Sequence, residues 1–296
     1  MTTFDALPTA APASLQQPPL PIACRLEQRG VIRLTGADAR KFLQGQVTCN
    51  LDDLNEARQL AGAQCTPKGR MIFNFVAMQL GDEILLSLPR KMVGTAIPAL
   101  KKYAVFFKTT IDDASDDFAT FGLAGLENAP CFTADLSLAL VPNDTEAPSF
   151  ADNCSAGDDS HWSLLCLQAG FADIEPQTSD SFIPQMINWD KVGGISFRKG
   201  CYTGQEIVAR AHYRGAVKRH MIRSAIPNGL AAPPVGADLF AEGEDKSLGT
   251  VAATATGPNG TELLLVLGDR NAEVSRVHFG DQQTVILTHY ALDYPS

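Results

Sequence analysis

The chain has 296 residues, of which 45% are apolar and 19% charged, and its formal net charge is −9. That length supports two or three domains with a real core, and no apolar run approaches the ~20 residues that span a bilayer. An acidic balance without interleaved aromatics argues against direct nucleic-acid binding. Residues 1–20 carry Pro8, Pro12, Pro18 and Pro19 among alanines and glutamines, with no arginine. They have neither the basic and apolar regions of a secretory signal nor the arginines of a mitochondrial leader, and read as a disordered or loosely attached arm.

Alternation over residues 22–26 and 31–34 predicts a hairpin turned at Arg29-Gly30. A helix follows over 37–45, with Phe42 and Leu43 facing the core. Residues 59–65 and 71–80 read as strands around a Pro-Lys-Gly turn, and 83–88 as another strand. Met92, Val93, Ala96, Ile97 and Leu100 recur at helical spacing, which predicts a helix over 90–103. Residues 106–111 and 118–123 read as strands. The acids between them, Asp112, Asp113, Asp116 and Asp117, lack the glycine and terminal glutamate of a calcium loop and read as a solvated turn. Residues 141–160, rich in Pro, Asn, Asp and Ser, predict a long loop. Leu164-Leu165-Cys166-Leu167 reads as a buried strand. A helix is expected over 205–213. From Met221 onward, short strands at 221–226, 238–241, 249–256, 262–267 and 283–288, with a hairpin turn at Pro258-Asn259-Gly260, predict a small antiparallel barrel. The fold class is α+β.

Cys24, Cys49, Cys65, Cys131, Cys154, Cys166 and Cys201 are scattered without a C-x-x-C. An odd, unclustered set suggests a reducing cytoplasm and argues against a zinc site or a stably held iron–sulfur cluster. No metal site is expected. Charge is uneven. Arg198, Lys199, Arg210, Arg214, Lys218, Arg219 and Arg223 face a single acid, Glu206, within one stretch. A cationic patch on an acidic chain points to an anionic ligand or partner.

Residues 198–206 read Arg-Lys-Gly-Cys-Tyr-Thr-Gly-Gln-Glu. Thr203 and Glu206 have capping-box spacing. Cys201 then lies just ahead of a helix N-terminus, where amide dipoles and the charges of Arg198 and Lys199 favour a thiolate. The alternative is a glycine-bounded loop whose cysteine merely packs. Arg210 and Arg214 share a helix face and suit two-point contacts with carboxylates. Tyr202 offers a flat ring to a heterocycle, or anchors the loop to the core. Gln205 and Glu206 can serve the cap alone.

Lys199-Gly200-Cys201-Tyr202-Thr203-Gly204-Gln205-Glu206 resembles the signature of the YgfZ-type folate-binding proteins, relatives of the aminomethyltransferase of the glycine cleavage system. The flanks agree: Phe182-Ile183-Pro184-Gln185, Gly193-Gly194-Ile195-Ser196-Phe197, Ala209-Arg210 and Arg214-Gly215-Ala216. Phe42-Leu43-Gln44-Gly45-Gln46-Val47-Thr48 and Pro67-Lys68-Gly69-Arg70-Met71 resemble the family's earlier blocks. The resemblance runs from about Gly30 to the C-terminal barrel and is weak over 112–160.

The resemblance implies a three-domain ring around a channel for tetrahydrofolate or a one-carbon derivative, with residues 181–199 winding along it. The domains implied are 21–50 plus 112–215 for folate, 51–111 as a second α+β unit, and 216–296 as the barrel. Such a ring can work as a monomer. It also implies a role in assembling or repairing iron–sulfur clusters on client enzymes, with Cys201 as nucleophile, redox thiol or transient ligand and Lys199 beside it. In the aminomethyltransferases a carboxylate near the block of Gln185 binds the pterin; an amide can still donate and accept across a heterocycle edge. Asn74 stands about where those enzymes carry a catalytic acid, and Gly69 to Phe75 contains no carboxylate. Asparagine can hydrogen-bond a cofactor but cannot take a proton, which argues against aminomethyl transfer. The competing readings are a folate-dependent one-carbon or aminomethyl transferase, which needs that missing acid, and a non-catalytic adaptor or RNA-binding module.

Overall fold

The computed structural model describes residues 19–127, 129–133, 135–145, 148, 150–215, 217–257, 260–271, 273–280, 284–292 and 294. The expected N-terminal arm, apart from its last two residues, lies outside these, as do Ala216 of the motif flank and the Pro258-Asn259 turn. In chain order the strands and helices begin with β1 (Ile22–Arg25), β2 (Arg29–Thr35), α1 (Ala39–Gln44), β3 (Leu60–Cys65), β4 (Met71–Leu80), β5 (Glu83–Pro89), α2 (Val93–Lys101) and β6 (Thr110–Asp113). They continue with β7 (Phe118–Ala124), β8 (Leu136–Pro142), β9 (Ser155–Gly157), α3 (Asp159–Gln168) and α4 (Gln205–Arg214). The last are β10 (Arg219–Ile226), β11 (Asp238–Ala241), β12 (Ser247–Gly257), β13 (Gly260–Gly268), β14 (Arg276–Phe279), β15 (Val285–Ile286) and β16 (Thr288–Tyr290).

Three sheets result, ordered β8-β7-β1-β9, β3-β4-β5-β2-β6 and β15-β14-β11-β12-β13-β10-β16. The first hairpin expected from the sequence does not form. β1 pairs with β7 and β9, whereas β2 pairs with β5 and β6. The reason lies at Arg29, which is buried rather than turning in solvent. Its guanidinium binds the Ser87 hydroxyl and carbonyl at 2.9 Å each and Asp173 at 2.7 Å. Gly30 is packed so closely that a Cβ would stand 2.5 Å from the Val93 side chain. The segment 22–35 therefore crosses from one sheet to the next.

Residues 164–167 are helical, not a strand. Asp158 caps α3 by accepting from the Ser160 and His161 amides at 3.0 and 3.2 Å. Trp162, Leu164, Leu165, Cys166 and Leu167 are all buried in this helix. A helix apolar on several faces produces a continuous run that periodicity cannot tell from a strand. The expected long loop over 141–160 also contains the end of β8, all of β9 and the first turn of α3. The strand expected at 106–111 starts only at Thr110; Phe106 is 96% exposed in the preceding loop. Asp116 and Asp117 of the acidic cluster pair with Arg90 at 2.5 Å and Arg33 at 2.8 Å.

The C-terminal sheet is an almost closed antiparallel barrel. β15 lies at one edge and β16 at the other, with only Leu287 between them. One continuous run of chain thus serves both edges, and its Leu287 amide donates to Ser275 O at 2.7 Å. Alternation in β13 explains the packing. Leu263, Leu265 and Leu267 fill the barrel, while Leu264 and Val266 join the main core with β1–β5 and α3. Burial on both faces accounts for the unbroken Leu-Leu-Leu-Val-Leu run.

Across the barrel seam, His289 Nε2 meets Val274 O at 2.9 Å and Nδ1 meets Ser224 Oγ at 2.8 Å. Burial lowers the His289 pKa below the ordinary 6.5. Below that value the unfolded chain binds a proton that folded His289 resists, so stability falls as pH falls through about 6.5. The slope from this group is at most about 1.4 kcal/mol per pH unit. Chemical denaturation of the wild type and His289→Gln between pH 5 and 8, on the order of the imidazole range, should show the slope reduced in the variant.

Candidate functional site: a cavity beside the cysteine motif

Separate sequence blocks converge around residues 199–206. The Lys199 ammonium donates to the carbonyls of Gln44, Val47 and Cys49 at 2.7, 2.7 and 2.6 Å. Thr48 Oγ1 donates to Gly194 O at 2.6 Å, and the Ser196 amide returns to Thr48 O at 2.9 Å. The Met71 amide donates to Phe182 O at 2.8 Å. The turn at 66–69 abuts the start of α4: a Cβ on Gly204 would come within 2.6 Å of Thr66 O, and one on Gly69 within 2.7 Å of Ile207. Gly204 can make this approach at φ 87 because it has no side chain.

The expected capping box is absent. The N-cap is Gly204, with no side-chain cap. Thr203 Oγ1 instead lies 3.4 Å from Gln46 Oε1, and Glu206 pairs with Arg210 at 2.9 Å. Gln205 Oε1 accepts from the Tyr202 amide at 3.3 Å and so closes the loop locally. Because Gly204 takes the left-handed conformation, Thr203 is turned away from the first helical amides.

The Cys201 side of the loop is exposed, unlike Cys24, Cys49, Cys65 and Cys166, which are buried. Burial pushes the Cys49 and Cys65 thiols up to about 12. Cys201 is thus an accessible thiol at the head of α4. Lys199 is not its proton-donating partner, because all three ammonium protons are committed to backbone carbonyls. Its nitrogen also lies 5.2 Å over the Tyr202 ring. Burial lowers its pKa to about 8. Tyr202 itself is buried and holds the loop to the core.

Toward the C-terminal end of α4 lies a cavity of about 530 Å³, within the usual ~300–1,000 Å³ of small-molecule sites. Gln185, Asn188, Asp190, His212, His220 and Tyr294 are among its lining residues. Pro184–Ile187 form a short 3₁₀ turn, and Asn188 ends it in the left-handed region at φ 54. Asn188 Nδ2 donates to Met221 O at 2.9 Å and lies 3.0 Å from the Tyr294 hydroxyl, tying this turn to the barrel and the C-terminal segment. Burial raises the Tyr294 pKa, so its hydroxyl stays protonated. His212 stacks on Phe197 with centroids 3.8 Å apart, which joins the motif's approach segment to the cavity wall.

Among the lining residues, Asp269 and Gln185 each hold a buried polar atom without a hydrogen-bond partner, and Gln185 is the amide of the two. Its Nε2 donates to Val208 O at 2.7 Å, which fixes the amide's orientation. Its Oε1 is buried without a hydrogen-bond partner. Such an acceptor costs free energy unless a donor reaches it.

Curated relatives decide the family. A tRNA-modifying protein YgfZ from Yersinia enterocolitica is 35% identical over 321 residues, covering 97% of each chain. Proteins of the same name from Cronobacter sakazakii and Klebsiella pneumoniae are 33% and 32% identical, each covering 91% of both chains.

The chain belongs to the YgfZ family.

No family model matches it. Among solved structures, the glycine cleavage system aminomethyltransferase T from Bartonella henselae superposes with a TM-score of 0.68 at 13% identity, covering 98% of this chain and 93% of that one. The chain therefore has the aminomethyltransferase-like fold expected from the sequence. The blocks that carry the sequence resemblance are the segments that meet around Lys199 and Gly204.

The predicted site residues divide four ways. Gln185 lines the cavity. Cys201 and Tyr202 belong to the adjoining loop, one exposed and one buried. Arg210 and Arg214 are exposed on α4 outside the cavity lining, Arg210 already paired with Glu206. Asn74 sits elsewhere. It is fully buried on β4, donating to Ala172 O at 2.9 Å and accepting from the Ile174 amide at 2.7 Å. Both ends of its amide hold the 172–174 backbone, so it is neither a cavity contact nor a solvent-facing strand residue. Sequence reasoning missed Asn188, Asp190, His212, His220 and Tyr294. The polar Asn188-Trp189-Asp190 stretch inside an otherwise buried segment was the available signal; the others come together only through the fold.

Within the described residues, no helix is long and apolar enough to cross a membrane.

Proposed function

We propose that this chain is a tetrahydrofolate-binding accessory protein for iron–sulfur client enzymes, acting in the cytoplasm through the Cys201 thiol. The observation that carries the reading is the unpartnered Oε1 of Gln185 in the wall of a cavity of ligand size. A reduced pterin presents N–H groups along one edge and suits that acceptor. Gln185 would hold the pterin edge, with Asn188 and Tyr294 fixing the wall behind it. The folate supplies a one-carbon carrier when bound. The exposed Cys201 stands ready for a client's sulfur or iron, and Lys199 shapes its loop. The name of the curated relatives, tRNA-modifying protein, fits this reading if the clients include tRNA-modifying enzymes.

Aminomethyl transfer is the weaker reading, because Asn74 carries no acid and is spent on backbone contacts. Client iron–sulfur activity in cells relying on this protein tests the proposal. Cys201→Ala is expected to lose most of that activity while retaining tetrahydrofolate binding within about threefold, since an exposed side chain outside the lining contributes under ~1 kcal/mol. Full restoration by Cys201→Ala would remove the thiol from the mechanism.

A further inference from the structure

Residues 84–111 contain five basic residues, Arg90, Lys91, Lys101, Lys102 and Lys108, and no acid, in a chain whose net charge is −9. Folding pairs Arg90 with Asp116 and Lys91 with Glu175. Lys101, Lys102 and Lys108 stay exposed around the turn that follows α2. The Phe107 amide donates to Ala104 O at 2.9 Å, which makes Val105 and Phe106 the two corner residues of a β-turn. Such corners normally take Gly, Pro, Asn, Asp or Ser. Here they carry apolar side chains that are 76% and 96% exposed.

The backbone holds these two residues out. Asp38 Oδ2 accepts from the Lys108 amide at 2.8 Å, and the Asp38 amide donates back to Lys108 O at 3.1 Å. The Ala104 amide donates to Lys101 O at 3.1 Å, so the chain leaves α2 in consecutive turns. The Phe107 ring packs against Phe42 of α1, with centroids 5.4 Å apart. Phe106 beside it is left in water on a backbone anchored on both sides. A pre-formed knob loses little freedom when a partner covers it.

α1 also carries the cysteine loop. Gly45, which caps α1, accepts from the Thr203 amide at 3.3 Å. Phe42 and Gly45 are three residues apart in sequence, which is ~4.5 Å along a helix. A partner covering about 800 Å², the usual share of one side of a stable interface, is wide enough to reach both the apolar turn and the Cys201 loop.

We infer that the turn 104–107 is the docking knob for the client protein. Val105 and Phe106 enter an apolar pocket of the client, and an acidic rim of that pocket meets Lys101, Lys102 and Lys108. This deepens the accessory reading above and rests on it. An aromatic anchor in a pocket, ringed by polar groups, is the common centre of a protein–protein interface. The lysines speed the approach of an acidic surface and turn away a basic one. An anionic membrane fits the turn less well, because three lysines fall short of the about four to eight of a lipid-binding cluster.

The test takes an iron–sulfur enzyme whose activity falls in cells lacking this chain, purifies it, and titrates it into the full chain by calorimetry. Wild type, Phe106→Ser and Lys102→Gln/Lys108→Gln are compared at low and high salt. Phe106→Ser is expected to weaken binding at least ~30-fold, as for loss of a central aromatic anchor. The double neutralisation should weaken it about threefold to tenfold at low salt and less at high salt. Both variants should keep wild-type thermal stability and tetrahydrofolate affinity, because the three residues are exposed and outside the cavity lining. Client binding unchanged in Phe106→Ser, or no client binding by the wild type, would overturn this inference and leave the folate reading to its own titration. Phe106-dependent flotation with phosphatidylcholine–phosphatidylglycerol vesicles, or Phe106-dependent self-association, would also overturn it, assigning the knob to a lipid surface or a second copy. If no iron–sulfur activity falls in cells lacking the chain, the accessory reading and this inference fail together.

Discussion

Replacing Glu262 by Leu is expected to destabilise the chain by about 3–5 kcal/mol, the cost of leaving a buried cation without its partner. Glu262 is 1% exposed on β13 and Arg223 is 8% exposed on β10. Their side chains meet at two points, Nε with Oε2 and Nη2 with Oε1, the second at 2.8 Å. Gln168, at the end of α3, donates to Oε1 at 3.0 Å, and the guanidinium lies 5.8 Å from the Tyr290 ring centroid. The pair thus ties the barrel wall to the helix packed against it. Removing the carboxylate strands the guanidinium and the Gln168 amide in one step. The double variant Arg223→Met/Glu262→Leu should recover most of the loss, because well-packed apolar replacements avoid the desolvation penalty of both charges. Urea denaturation of the three variants checks both expectations. A double variant as unstable as Glu262→Leu would show that packing, not the stranded charge, sets the cost.

Lys199→Met is expected to cost at least ~3 kcal/mol. Three carbonyls, those of Gln44, Val47 and Cys49, lose their ammonium donor, and each buried acceptor left unsatisfied costs about 1–3 kcal/mol. Methionine keeps most of the apolar stem, so the loss reports the hydrogen bonds rather than a cavity. The change also frees the loop bearing Cys201 from the segment 44–49. Denaturation should show the lower stability, and limited proteolysis should show earlier cleavage in that segment or the motif loop. Unchanged stability would mean that the three carbonyls are satisfied without the ammonium.

These two outcomes separate what the sequence makes legible from what it hides. Residues 71–80 and 205–213 carry clean local patterns, and the structure places β4 and α4 there. The barrel was readable because its turns recur between short apolar runs. The hairpin at Arg29-Gly30 failed because the partners of Arg29 are Ser87 and Asp173, far away in sequence. Leu164–Leu167 failed because burial on several faces erases helical periodicity. At the site, residue type marked Cys201, Lys199 and Gln185, but not their duties. Lys199 turned out to staple two blocks together. Asn74, placed by analogy at a reaction centre, holds backbone instead. The basic run looked uniform in sequence, yet folding commits Lys199 to carbonyls and pairs Arg210 with Glu206 and Arg223 with Glu262, while Arg198, Arg214, Lys218 and Arg219 stay exposed. His212, His220 and Tyr294 carry no local mark at all, because only the meeting of α4, the barrel and the C-terminal segment makes a cavity of them.

In the function proposed for this chain, Gln185 Oε1 receives the pterin edge of a reduced folate. The most direct measurement is the tetrahydrofolate dissociation constant of the reduced protein against that of Gln185→Leu, with thermal stability recorded for both. Saturable binding to the wild type is expected, with binding weakened up to ~10-fold in the variant, as for the loss of a buried hydrogen bond worth about 0.5–1.5 kcal/mol. The variant should remain folded, because the side chain keeps its approximate size. Equal affinities in two folded proteins, or no binding to the wild type at millimolar ligand, on the order of the weakest specific affinities, would contradict it.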